Sequence, residues 1–318
     1  MKKKITIILI IISLLTIIGY ILNNAKNEYL KDQIFIAIQK NVKKHTQNKI
    51  NTDIGDIQCS GFLNTDCNIE NLDFYLSTTD KNKVSVFEID KLSTKIYIID
   101  LLLKNINQEF YIKNLHFNKE FISKREFNPV ISYDIQEMMS VLKKYGHIDI
   151  KFNFSKNNIE KNMYLKLNIY NELVDFSIDA EIVQEKDENK KLTDLIFKKL
   201  KISLHKKDFN RKFFNILKER EPSYFKKYDE DFIYNTVIKK YKEYSENKFM
   251  LKFDPINEFF VKDNVILILS NKKDKTISFN KDLNPFFLDL EYDSKIRDFN
   301  ETMNKINMNY SVKKVQKG

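Results

Sequence analysis

The fold is decided by "HIDIKFNFSKNNIEKNMYLKLNIYNELVDFSIDAEI", residues 147–182. Ile148, Ile150, Phe152 and Phe154 alternate with polar residues, as do Met163, Leu165, Leu167 and Ile169, then Val174, Phe176, Ile178, Ala180 and Ile182. A period of two sends successive side chains to opposite faces, so each run is a strand with one apolar and one polar side. Short polar connections between such runs predict an antiparallel meander. A fourth strand follows at Leu200, Ile202 and Leu204, and Leu192–Lys199 reads as a helical turn or part of a long connection. On these phases Ile150, Phe152, Leu165, Leu167, Phe176 and Ile178 form the candidate apolar sheet face.

Upstream, "NIENLDFYLS" puts Leu72, Phe74 and Leu76 on one face, and "KVSVFEI", "KLSTKIYI" and "EFYIKNLHF" read as further short strands. The two β regions, about 50–130 and 147–205, are expected to form one elongated, curved antiparallel sheet with helices packed on one face, an α+β fold. A local helix is expected at 135–145, introduced by Asp134 and Glu137 in a capping-box spacing and stopped by Gly146. Residues 207–246 read as two helices, the first on Phe209, Phe213 and Leu217, the second opened near Pro222 with a stripe of Phe232, Val237, Tyr241 and Tyr244. "NVILILS" and "KTISFN" read as a hairpin across "NKKD", and 294–318 as a polar, fraying end.

The N-terminus sets the compartment. Lys2, Lys3 and Lys4 precede "ITIILIIISLLTIIGYIL", residues 5–22, an uncharged run about 27 Å long as a helix. It exceeds the apolar core of a cleaved signal peptide and lacks a small-x-small site after it, which predicts an uncleaved single-pass signal anchor. Lysines before the run keep that end cytoplasmic and place the rest outside the cytoplasm. A juxtamembrane helix over 23–49 follows, striped by Leu30, Ile34, Ile38 and Val42 with Phe35 beside them. The domains expected are thus 1–22, 23–49 and 50–318, the last with possible sub-regions 50–205 and 206–318.

Cys59 and Cys67 are the only cysteines. Outside the cytoplasm their spacing predicts a structural disulfide of about 2–3 kcal/mol, with Gly61 allowing the reversal; two buried free thiols are the alternative. A zinc site would need more ligands, and His45, His116, His147 and His205 are scattered. No phosphate-binding glycine loop, nucleophile elbow or H-E-x-x-H is present, so no catalytic residue, metal or cofactor is assigned. The carboxylates of "YDEDF", 228–232, fan out on a helix and read as a solvated or N-terminal helix face. Net charge is +10, but acidic residues are interleaved with 54 Lys and Arg, which reads as a solvated surface and not a nucleic-acid site. The aromatics Phe209, Phe213, Phe214, Phe225, Phe259, Phe260, Phe286 and Phe287 read as core, or as the lining of an apolar groove.

The stretch "INTDIGDIQCSGFLNTDCNIENLDFYLS" with "VSVFEIDKLSTKIYIIDLLLKNINQEFYIKNLHF" resembles the start of AsmA-like envelope proteins, through an I-x-N-L phrase and apolar positions at Ile69, Leu72, Ile96, Leu102, Ile112 and Leu115. "YLKLNIYNELVDFSIDAEI" and "INEFFVKDNVILILSNKKDKTISFN" are similar to periplasmic proteins of the YdgA type. The resemblance implies a β-rich, membrane-anchored domain with a role in lipid or outer-membrane homeostasis. The expectation is a non-enzymatic inner-membrane protein whose sheet binds lipid or another apolar ligand. The alternative is a scaffold subunit of an envelope complex, with protein partners and a closed core.

Overall fold

A computed structural model describes residues 2–77, 83–97, 100, 105–126, 133–157, 161–186, 193–249, 256–285 and 299–315, and within the first helix only the backbone over 2–18. Among the described residues the chain is α+β, built on twelve strands paired antiparallel and several helices. It divides into two compact units, 1–121 and 122–318.

The first unit opens with α1 (Lys2–His45), followed by β1 (Ile50–Ile54), β2 (Ile57–Ser60), β3 (Asn64–Ser77), β4 (Lys83–Tyr97) and β5 (Ile106–Phe117). The strand order is β1-β3-β4-β5, with β2 also on β3. Helix α1 runs unbroken through both the expected anchor and the expected juxtamembrane helix. Among the described residues no helix is long and apolar enough to cross a membrane. The anchor expected over 5–22 falls mainly on residues whose side chains lie outside the described ones.

Ile34, Ile38 and Val42 of α1 pack on a core of Ile57, Ile69, Leu72, Phe74 and Ile89. The spacing in that core is unusual. Ile69 and Leu72 are three apart, as are Ile54 and Ile57, Ile89 and Leu92, and Ile112 and Leu115, yet all eight belong to one cluster. Strict alternation would send the members of each pair to opposite faces. The strands change phase together along one line. Asn71 and Asn114 take left-handed φ of 58° and 54°, a conformation asparagine tolerates better than most residues. Asn71, Asp90 and Asn114 drop out of the regular pairing, although the register on either side is unchanged. The Asn114 amide donates to Asp90 at 2.5 Å. On β1's side the line is completed by Gly55, whose N–H donates to Asn71 O at 3.1 Å; a Cβ there would lie 2.3 Å from the Glu70 carbonyl oxygen. On the opposite face, Asp53 and Asp73 stand directly across from each other, and Lys83 bonds to both carboxylates, which holds its pKa above the ordinary lysine value.

The second unit includes α3 (Tyr133–Tyr145), β6 (Ile148–Asn157), β7 (Asn162–Asn171), β8 (Val174–Lys186) and β9 (Thr193–Lys206), the helices α4 (Phe209–Arg220), α5 (Pro222–Lys227), α6 (Glu230–Phe249) and α7 (Ile256–Val261), then β10 (Val265–Asn271), β11 (Ile277–Ser278), a π-helical turn (Phe279–Leu283), α8 (Phe299–Lys305) and β12 (Met308–Lys314). A further short helix, α2 (Lys119–Glu126), contains the unit boundary. The order is β6-β7-β8-β9-β10-β12, with β11 on β9.

Four expectations are corrected here. The segment 192–199 is strand from Thr193, not a helical turn; β8 and β9 slip register by one residue between Glu181 and Ile182, opposite Lys198, and this bulge breaks the alternation. "KTISFN" does not pair with "NVILILS": β10 is shorter than β9, and β11 takes the free end of β9. Asn271 stitches the junction, accepting from Leu200 N at 2.7 Å and donating to Lys198 O and Lys275 O, both at 3.0 Å. The C-terminal segment does not fray throughout, because α8 supplies buried Met303 and β12 pairs with β10 over seven residues. In α6, Phe232 is exposed and Ile233 buried, so Phe232 does not belong to the expected stripe; Val237 is half-buried, the side chains of Tyr241 and Tyr244 lie outside the described residues, and Asp229 Oδ1 accepts from Phe232 N at 2.9 Å at the helix start. The expected capping pair at α3, Asp134 and Glu137, has side chains outside the described residues.

Candidate functional site

The register of the second unit assembles the apolar positions into rows. Phe152, Leu167, Ile178, Ile202, Leu269 and Tyr310 are successive partners across β6, β7, β8, β9, β10 and β12. Ile150, Ile169, Phe176, Leu204, Leu267 and Val312 form the next row. Directly paired residues point to the same side, so Ile150, Phe152, Leu165, Leu167, Phe176 and Ile178 share one face.

Cover on this face is uneven. At one end Met163, Ala180, Ile182 and Leu200 are buried beneath Ile277, Leu283, Met303, Ile306 and Met308. Leu165 and Ile178 lean on that cluster. Ile150, Phe152, Leu167 and Phe176 are only half-buried. At the other end Lys206, paired with Val174 and Val265 and of the same strand phase as Ile202 and Leu204, is 5% exposed. Its ammonium donates to Phe259 O at 3.1 Å and lies 5.8 and 5.9 Å from the ring centres of Phe209 and Phe259. Burial lowers its pKa to about 8, against the pull of Asp263. The face is thus apolar, closed at one end and cationic at the other.

The remaining sequence candidates have structural places. Cys59 and Cys67 sit directly opposite on β2 and β3 and are joined as a disulfide, with Cα atoms 4.1 Å apart. Gly61 follows at φ 111°, as the reversal requires. Phe214 is buried, its ring edge-on to Phe225 at 5.2 Å and Tyr234 at 5.1 Å. Phe259 belongs to the Lys206 end, whereas Phe286 and Phe287 lie outside the described residues. His116 and His205 stand 3.8 and 3.6 Å from Glu88 and Asp175, on separate strands. Glu230 and Asp231 occupy the first turn of α6, and Glu230 pairs with Lys218. Among the described residues no three His, Cys, Asp or Glu side chains converge on a metal-sized site. A cleft of about 520 Å³ is lined by Asn215, Lys218, Glu219, Pro222, Phe225 and Lys226, where Glu219 also pairs with Lys144.

Sequence reasoning missed Lys206 and Lys26, two lysines with inward-facing ammonium groups. The signal for Lys206 was its even spacing from Leu200, Ile202 and Leu204. Compared with known proteins, the chain matches no family model and no curated protein.

Proposed function

We propose that this is a non-enzymatic, membrane-anchored protein of the bacterial envelope, whose second unit holds a lipid or another apolar ligand against its sheet. The observation that carries the reading is the pair of apolar rows on six strands, half-buried between a closed apolar end and a buried ammonium. An aliphatic chain laid across such rows removes apolar surface from water without any change in the fold. The uncharged run at 5–22 behind three lysines supports an inner-membrane anchor with the cytoplasm on its N-terminal side. The Cys59–Cys67 disulfide fits an oxidising compartment beyond it.

The test is native mass spectrometry with lipid extraction on protein purified from membranes, wild type against Leu167→Asp. The wild type is expected to carry bound lipid. The variant is expected to fold, because water entering a half-open face solvates the carboxylate, and to lose that lipid. A folded variant that keeps all its lipid overturns the assignment of this face. A variant that unfolds points instead to a closed core and the scaffold role.

A further inference from the structure

Helix α1 and the disulfide-bonded hairpin meet at one place. Lys26 Nζ donates to the carbonyl oxygens of Gly61 and Phe62 at 2.6 and 2.8 Å, and to Thr65 Oγ1 at 2.8 Å. All three donors of the ammonium are thereby used on the hairpin's reversal. Thr65 is fully buried, Gly61 takes a backbone that a side chain would strain, and the disulfide closes the base. The tip is therefore held rigidly, yet the two residues it carries are apolar and turned outward: Phe62 is 61% exposed and Leu63 49%. A turn facing water takes polar residues or glycine at such positions.

Location supplies the reason. Lys26 is four residues past Leu22, about 6 Å along the helix axis from the end of the uncharged run. Tyr20, Ile21 and Leu22 are 68, 59 and 63% exposed, so α1 stands clear of the protein there. From Asn23 onward the side chains of Asn23, Lys26, Asn27 and Leu30 turn partly inward. The base of the hairpin packs with Ile34, Ile38 and Val42, farther along α1, so the hairpin points back toward the helix N-terminus. Asn64 pairs with Tyr97 at that end of the sheet, and β5 begins there with exposed Ile106.

We propose that the Phe62–Leu63 tip is a second membrane contact, entering the lipid–water interface beside the point where α1 leaves the bilayer. The proposal rests on the anchor reading given above. Two points of contact, one helix and one stapled hairpin, hold the first unit at a set height and stop it from swinging about α1. The Lys26 clamp makes this possible: a lysine at the interface reaches for headgroups, and here its donors bind the hairpin instead.

The chain contains no tryptophan, so single replacements act as reporters. Full-length Phe62→Trp, Leu63→Trp and Tyr20→Trp proteins are reconstituted into vesicles of phosphatidylcholine and phosphatidylglycerol, with or without lipid brominated near the glycerol end of the acyl chain. The expected result is blue-shifted emission and at least twofold quenching by brominated lipid for Phe62→Trp and Leu63→Trp, with little quenching by aqueous iodide. Tyr20→Trp reads the anchor itself. If Tyr20→Trp is quenched by brominated lipid while both tip reporters emit as water-exposed indoles and are quenched by iodide, the tip contact is overturned and the anchor stands. If none of the three responds to brominated lipid, anchor and tip contact fall together.

Discussion

Lys206 makes a prediction about pH. Its pKa in the folded chain is about 8, against 10.5 for an unburied lysine. Between those values the unfolded chain holds a proton that the folded chain has released. Stability therefore rises with pH across that window, by roughly 1–3 kcal/mol, the reverse of the loss expected for a lysine in an ion pair. Urea midpoints for wild type and Lys206→Met, compared at pH 7.5 and pH 10, measure it; the variant is expected to lack this component of the rise. In the sequence only its even spacing from Leu200, Ile202 and Leu204 separates Lys206 from exposed lysines. Its burial follows from its place on the apolar face and from Phe209 and Phe259 arriving from two later helices.

At the scale of the element, the line of Gly55, Asn71, Asp90 and Asn114 decides which residues of the first sheet are core. Without it Ile69 and Leu72 could not both face α1. Replacing Asn114 by valine forces a β-branched residue into left-handed backbone and deletes the bond to Asp90, for an expected loss of about 2–3 kcal/mol. Asn114→Gly keeps the backbone and loses only the side-chain bond, so urea unfolding followed by circular dichroism should rank wild type, glycine, valine in falling stability. The I-x-N-L phrase was visible at Ile69–Leu72 and Ile112–Leu115, and its apolar residues were placed in strands. Its meaning as a phase change was hidden because β4 achieves the same change with aspartate, "IDKL", and β1–β2 with glycine. Strand β9 shows the converse: a bulge at one residue disguised a 14-residue strand as two different things.

For the whole molecule, the expected topology is a single crossing with both units outside the cytoplasm. A periplasm-dependent phosphatase fused after residue 318 should be active, and a cytoplasm-dependent reporter at the same place silent. The reverse pattern would invert the anchor and leave the disulfide in a reducing compartment.

Composition and period alone set out an uncharged N-terminal run, antiparallel strands, two cysteines spaced so that they can pair, and the apolar phase of residues 148–182. These are local properties, because alternation, helix stripes and charge gaps act over a few residues of chain. The tertiary structure alone decided that β11 takes the free end of β9, that β12 and not β11 borders β10, that Lys206 ends the apolar face, and that Lys26 holds the hairpin tip. Each of those joins residues between 35 and 82 positions apart. A hydrogen-bonding strand edge or a lysine's donors can be satisfied by many distant partners, and only packing the whole chain selects among them.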